Sequence, residues 1–356
     1  MISGSNQIGF SLVELMVAVT LGLLVMVVLS AAMLSSSQAR RETDQASRQV
    51  ENGRYAMQIL SDDLAHAGYY GEFDPWPLPT PAVKPDPCAT SVAALKTAMS
   101  LHVQGYDNPT PATIAALTCL GDVRPGVDIV VLRRASTCVA GSTACDAFVG
   151  GTTQPYFQAS LCASATELDS AVTTDYYAMD TAAAGLTKHK RDCATIADFR
   201  RFVTRIYFVA NNDNPGDGIP TLKRAELGAT GFSIVPLVEG IENLQLEYGL
   251  DTDAIPDGAP DVFTADPDGY TGAGAAGATG NWRNVVAIRV NLLARNTETT
   301  MGYQDGKVYT LGHNADGSDN TCSPGSSTLC SGMTYKRHAF MAEVRLTNPA
   351  ERAITP

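Results

Sequence analysis

The sequence predicts an α+β chain: one long N-terminal helix, whose first half is membrane-spanning, packed on an antiparallel β-sheet head with disulfide-rich loops. Three observations carry that prediction. Almost unbroken apolar sequence runs from Gly9 to about Leu34, with Glu14 as its only charged residue. Small and apolar residues then recur at alternating steps of four and three from Ala46 to Ala67. From Val127 onward, short apolar or alternating stretches follow one another without helical crossovers between them.

The segment 10–34 is long enough as a helix to cross a hydrocarbon core of roughly 30 Å. Glu14 is costly there, about 2.5–3.5 kcal/mol on the most lenient insertion scale, and so needs a partner. A cut after Gly9 would release residues 1–9 as a leader and make Phe10 the new N-terminus. Its amine, cationic near neutral pH, would lie about one helical turn from Glu14. The amine of one subunit neutralising Glu14 of its neighbour gives an assembly rule, because pairing removes two charges from apolar surroundings together.

Residues 35–67 continue the helix as an amphipathic half. Ala46, Val50, Gly53, Met57, Leu60, Leu64 and Ala67 fall on one face, and Arg40, Arg41, Glu42, Asp44, Arg48, Glu51 and Arg54 cover much of the rest. Gly68 and the Gly71 to Pro77 stretch stop it. No proline interrupts Phe10 to Leu64, which predicts a helix with little kink.

The remainder, 68–356, reads as one continuous head. Its part from 73 to 125 opens with clustered prolines and predicts an irregular surface excursion. Strands are expected at Val127 to Leu132, Phe202 to Ala210, Leu222 to Leu227, Val285 to Ala294, Lys307 to Leu311 and His338 to Leu346. A further one holds Leu244, Leu246 and Tyr248, which alternate with Asn243, Gln245 and Glu247 in a half-buried pattern. Between the first two, 138–193 is cysteine-rich with few patterned strands.

Eight cysteines lie outside the apolar segment, and none forms a CxxC pair, so zinc and dithiol redox chemistry are poorly supported. An even count after a membrane segment reads as disulfides made in an oxidising compartment, here the periplasm. Connectivity does not follow from spacing; pairing of sequence neighbours is the expectation adopted, first Cys322 with Cys330, then Cys138 with Cys145. Arg40 and Arg41 follow the span while the leader has no Lys or Arg, a bias that alone would keep the head cytoplasmic. The cysteines and the cleavage pattern outweigh two arginines. A formal net charge of −12, with no basic stripe, argues against nucleic acid as a partner.

At Gly9, Phe10 and Glu14, followed by the apolar helix, the chain resembles the type IV pilin superfamily. Glu51-Asn52-Gly53-Arg54, then Asp62-Asp63-Leu64 and Ala67-Gly68-Tyr69, are similar to boxes of the PilW-type minor pilins. Locally, Asn52-Gly53 is expected to relax an exposed turn and Gly68 to cap the helix. The resemblance implies cleavage after Gly9 by a prepilin peptidase, N-methylation of Phe10, and assembly through Glu14. It implies as partners the other minor pilins and the major pilin, the inner-membrane assembly platform and a large tip adhesin. The implied role is to initiate pilus assembly from the inner membrane, with a periplasmic head and a final place at the pilus tip.

Two oxygen-rich loops are candidates for calcium: Asp213 and Asp217 in one, Asp251, Asp253, Asp257 and Asp261 in the other. Neither spells the D-x-[DN]-x-[DN]-G loop, and since Asp, Asn, Gly and Pro are ordinary turn residues, two solvated turns are the plainer reading. Gly272-Ala273-Gly274-Ala275-Ala276-Gly277 spells GxGxxG, but dinucleotide binding needs a preceding strand and a following helix, and with Asp266-Pro267-Asp268-Gly269 before it and Asn281-Trp282 after it the run of small residues reads as a flexible loop. No G-x-S-x-G or H-E-x-x-H is present, and the five histidines are scattered, so no enzyme is expected. The alternatives are a large pseudopilin of a type II secretion system, or a membrane-anchored periplasmic enzyme or calcium-binding receptor.

Overall fold

In the computed structural model, which describes residues 9, 11–325, 329–330 and 332–354, the chain divides into two units, Met1–Arg48 and Gln49–Pro356. A 54-residue helix, α1 (Leu12–Ala65), begins in the first unit and ends in the second. In the first unit, Leu12 to Leu34 are exposed throughout, and α1 is the one helix among the described residues long and apolar enough to cross a membrane. Such a surface suits lipid or other helices rather than this chain's own core.

The second unit adds α2 (Val92–Ala98), β1 (Val103–Tyr106), α3 (Pro111–Ala116), β2 (Ile129–Ala135), β3 (Tyr156–Ala159), β4 (Tyr177–Asp180), β5 (Phe199–Ala210), β6 (Thr221–Gly228) and β7 (Gly231–Glu239). It continues with β8 (Ile241–Leu250), β9 (Val262–Thr264), α4 (Ala278–Arg283), β10 (Val285–Arg295), β11 (Tyr309–His313), β12 (Asp319–Cys322), β13 (Arg337–Arg345) and α5 (Thr347–Ile354). Seven strands form one sheet in the order β1-β2-β5-β3-β4, with β6 on β5 and β7 beyond it. Four form a second, β13-β10-β8-β9, and β11-β12 stand as a hairpin. Every one of these pairings is antiparallel. The α+β class holds.

One core joins the two sheets to the end of α1. Met57, Leu60 and Leu64 meet Val130, Leu132, Tyr207 and Val209 of the large sheet and Leu244, Leu246, Ile288, Val290 and Leu292 of the smaller one. The buried stripe of α1 begins at Gln49, and Ala46, which the spacing placed on that face, is exposed. Periodicity gives the face of a helix but not where along it the packing starts.

The 73–125 segment departs from the irregular surface excursion expected of it. It contains α2, β1 and α3, and it buries Phe73, Leu78, Leu95, Met99, Leu101 and Val103. Its elements are four to seven residues long, too short for a period to register. Strand β8 differs too: it is buried along its whole length, not half-buried. Its polar face lies under the hairpin and neighbouring loops, where Asn320 donates to Gln245 at 2.8 Å and Asn243 donates to the Leu329 carbonyl at 2.9 Å. The Gly272 to Gly277 loop is tied down by buried Asn281, which accepts from Ala276 N at 2.8 Å and donates to the Pro267 and Tyr270 carbonyls. It is therefore not the slack loop its composition suggests.

Four disulfides join Cys88 to Cys119, Cys138 to Cys145, Cys162 to Cys193 and Cys322 to Cys330. The two that span 31 residues close loops whose chain-entropy cost in the unfolded state is on the order of 3–4 kcal/mol each. They brace segments built from short elements.

Candidate functional site

The N-terminal turn of α1 is built by Ser11 and Glu14. The Ser11 N–H donates to Glu14 Oε2 at 3.0 Å, and the Val13 N–H donates to Ser11 Oγ at 3.2 Å. This is a capping box: each side chain satisfies a backbone donor that a helix start leaves without an intrahelical partner. The position also favours a carboxylate, because the helix dipole is positive there. Glu14 therefore has a partner within its own chain, one the Ser-x-x-Glu spacing spelled and the sequence reading passed over. Gly9 is exposed next to this turn, while Phe10 lies outside the described residues.

The boxes between Glu51 and Tyr70 seat the second half of α1. Gly53 is buried within the helix, and a Cβ placed there would come within 2.1 Å of the Phe340 ring. Its role is close approach to β13, which corrects the reading of Asn52-Gly53 as an exposed, relaxed turn. Beside it, Gln49 Nε2 donates to the Ala294 and Lys336 carbonyls at 2.8 and 2.9 Å, and Asn52 Nδ2 to the Glu239 carbonyl at 3.2 Å. The helix is thus stitched to main chain as well as packed on side chains.

Asp63 is the electrostatic centre of the joint. Its carboxylate, 6% exposed, accepts from Arg205 Nη1 at 2.8 Å, Arg134 Nη2 at 3.1 Å and the Tyr207 hydroxyl at 2.7 Å. Burial by itself would raise its pKa. The Arg205 and Arg134 guanidiniums and the Tyr207 hydroxyl outweigh that and hold it below the usual carboxylate value. Glu226 balances the arginines from the far side, meeting Arg205 Nε at 2.9 Å and Arg201 at 2.9 Å. Past the helix end, Gly68 adopts φ +72°, with the His102 Cβ and the Pro349 ring just over 3 Å from where a Cβ would sit. Its N–H donates to the Arg133 carbonyl at 2.9 Å, and the Ala135 N–H donates to the Tyr69 carbonyl at 2.6 Å. Tyr70 then inserts against Phe157 and Phe202.

The oxygen-rich loops are largely self-satisfied. Asp217 accepts from the Asp213, Asn214 and Ile219 N–H groups at 3.1, 2.7 and 2.9 Å, and those bonds, Asn214 first, lower its pKa. Carboxylate oxygens of Asp251, Asp253 and Asp261 converge to within 4.8 Å, a group from which Asp213, Asp217 and Asp257 are absent. Asp257 instead accepts from the Ala259 N–H at 2.8 Å. Asp251 already accepts from Gly258 N at 2.8 Å, and Asp261 from Thr252 N at 2.7 Å. Backbone N–H groups bonded to these carboxylates are the pattern of turns and, for Asp217 and Asp257, each bonded by the N–H two residues on, of Asx turns.

Residues 206–348 match the family model described as Type IV Pilus-assembly protein W, and residues 4–30 match the Prokaryotic N-terminal methylation motif. The Glu51 to Tyr70 boxes lie between the two matches. No curated protein and no solved structure matches the chain. The two matches, with the apolar helix and disulfide-bearing β head, support a type IV pilin-like minor pilin. Its N-terminal motif and long apolar helix fit anchoring in the inner membrane and a place in a pilus. A pilus context implies interaction with other pilus components.

Proposed function

We propose that this PilW-like minor pilin is a structural and interaction protein that primes type IV pilus assembly, and that its work is mechanical rather than catalytic. A prepilin peptidase cuts after Gly9, Phe10 is methylated, and the exposed apolar half of α1 packs among the equivalent helices of other minor pilins and the major pilin. The head sits in the periplasm and travels to the pilus tip, where a large adhesin joins it.

The observation that carries this reading is the junction of two matches on one chain. A prepilin-type N-terminus leads into an apolar half-helix exposed along its length, and that helix continues into a PilW-type head. Four disulfides support an oxidising compartment for the head. A head of about 290 residues, 68–356, would crowd a repeating filament but is tolerated once at its end, which supports the tip. The PilW match favours a pilus over a secretion machine with the same N-terminal chemistry.

Deleting the chain tests this. Loss of surface pili and twitching, with protein secretion intact, supports the reading; normal piliation with failed secretion of folded exoproteins would move the chain to a type II system.

A further inference from the structure

A cavity of about 40 Å³ lies in the head between the chain that leaves α1, the end of α4 and helix α5. Pro75, Trp76, Pro256, Val286 and Pro349 give it apolar walls, and Arg283, Arg352, His102 and Ser100 also line it.

The arginines around this space are held by neutral acceptors. Arg352 donates from Nη1 to the Gly68 carbonyl at 2.8 Å and from Nη2 to the Gly71 carbonyl at 3.3 Å. Arg283 donates from Nη1 to the Leu78 carbonyl at 3.2 Å and to Thr80 Oγ1 at 3.1 Å, and its guanidinium rests 4.3 Å from the centre of the Trp76 ring. Arg133, fully buried nearby, donates to the Leu101 carbonyl and to Gln104 Oε1. Among the described residues, Asp74 is the one carboxylate that pairs with any of the three. It stands 3.9 Å from Arg352 Nε, with 41% of its side chain exposed. Asp251, on the cavity wall, is bonded instead by the Gly258 and Asp253 N–H groups at 2.8 and 3.3 Å. The His102 ring adds no charge near neutral pH, because burial, helped by the charges of Arg352, Arg283 and Arg133, lowers its pKa to about 4. Cations taken out of water are normally met by carboxylates. Here three share one long, part-exposed pair, so the cavity is short of negative charge.

It is also short of acceptors. Ser100 is 4% exposed, and its Oγ has no hydrogen-bond partner among the described residues; nor has Arg283 Nε. A buried donor left open lowers stability unless something from outside the chain meets it. Inorganic phosphate or sulfate would set charged oxygens against prolines and Trp76. An anion with an apolar stem suits both halves of the lining.

We propose that this cavity binds a small organic carboxylate, its oxygens facing Arg283, Arg352 and the Ser100 hydroxyl and its short carbon stem lying against Pro75, Trp76 and Pro349. Guanidinium forks match carboxylates in geometry as well as charge. The proposal does not rest on the assembly reading.

Titrating the full chain in detergent, near neutral pH, with sodium propionate tests it. Propionamide serves as the uncharged control, and sodium chloride holds the ionic strength constant. Propionate should raise the melting temperature in a saturable way, because it binds the folded chain alone, and propionamide should not. A rise that never saturates, or that propionamide or inorganic phosphate reproduces, would overturn the proposal. Ser100→Ala removes a hydroxyl that bonds to nothing in the chain, so it should leave the free protein at least as stable as before. It should weaken propionate by about tenfold, the loss of one charge-assisted hydrogen bond. Arg283→Gln should abolish the response. A Ser100→Ala chain that binds propionate as the parent does would overturn the site, and so would one that melts earlier when free, since the hydroxyl would then be serving the fold.

Discussion

Asp63 on α1 and Arg205 on β5 lie 2.8 Å apart in a buried network that also takes in Arg134, Tyr207 and Glu226. The pair ties the helix to the centre of the large sheet. Truncating Asp63 leaves two buried guanidiniums without their shared carboxylate, so Asp63→Ala should destabilise the head by about 3–5 kcal/mol. Thermal unfolding of the full chain in detergent reads this directly. Because the folded pKa of Asp63 is lowered, its contribution is present above the unfolded carboxylate value of about 3.9 and is lost as pH falls through the lower folded value.

Gly53 gives a prediction of opposite sign to the usual one. At an exposed helical site, Gly→Ala stabilises by about 1 kcal/mol. Here the added Cβ meets the Phe340 ring, so Gly53→Ala should destabilise by about 1–3 kcal/mol. Phe340→Leu in the same chain should recover part of the loss. A Gly53→Ala chain with a raised melting temperature would show that helix and β13 are not in close contact.

His102 makes the head acid-sensitive. Its ring is buried, with Nε2 2.7 Å from the Val285 carbonyl, and burial lowers its pKa from the usual 6.5 to about 4. The unfolded chain therefore binds the proton first as pH falls. The stability tied to neutral His102 is fully present above about pH 6.5 and drains away toward pH 4, on the order of 3 kcal/mol in all. Melting curves at pH 7 and pH 4.5 should separate clearly, and His102→Gln should narrow the gap.

Ser11 and Glu14 allow the cap and the assembly role to be pulled apart. Ser11→Ala removes one cap acceptor, a loss of about 1 kcal/mol at the helix start, and should leave piliation largely intact. Glu14→Leu removes the Glu14 half of the cap together with the carboxylate available to a neighbour. Protein level should stay near normal while surface pili and twitching fall sharply; unchanged piliation would remove Glu14 from assembly.

Much of this was legible in the residues. The apolar run, the helical face through Met57, Leu60 and Leu64, and the alternation of Phe202 to Ala210 each reflect one period sustained over many residues. What stayed hidden was short or relational. Strands such as Tyr156–Ala159 and Tyr177–Asp180 are too brief to show a period and are placed by neighbouring chain and a disulfide. Gly53 looks like a flexible glycine until Phe340, far along the sequence, is seen against it. Asp63 sits in a run of two aspartates, and nothing local says which one is buried; the answer depends on Arg134 and Arg205. The capping box at Ser11 and Glu14 was written in the sequence, but the cost of a carboxylate in lipid drew attention to a partner in another chain.

The central claim is that this chain is processed and assembled as a pilin. The most direct measurement is the intact N-terminal mass of the protein extracted from cells with and without prepilin peptidase. A chain that begins at methylated Phe10 only when the peptidase is present is the predicted result. A chain that keeps Met1 to Gly9 in both would contradict it, and leave a tethered head whose helix is an anchor and nothing more.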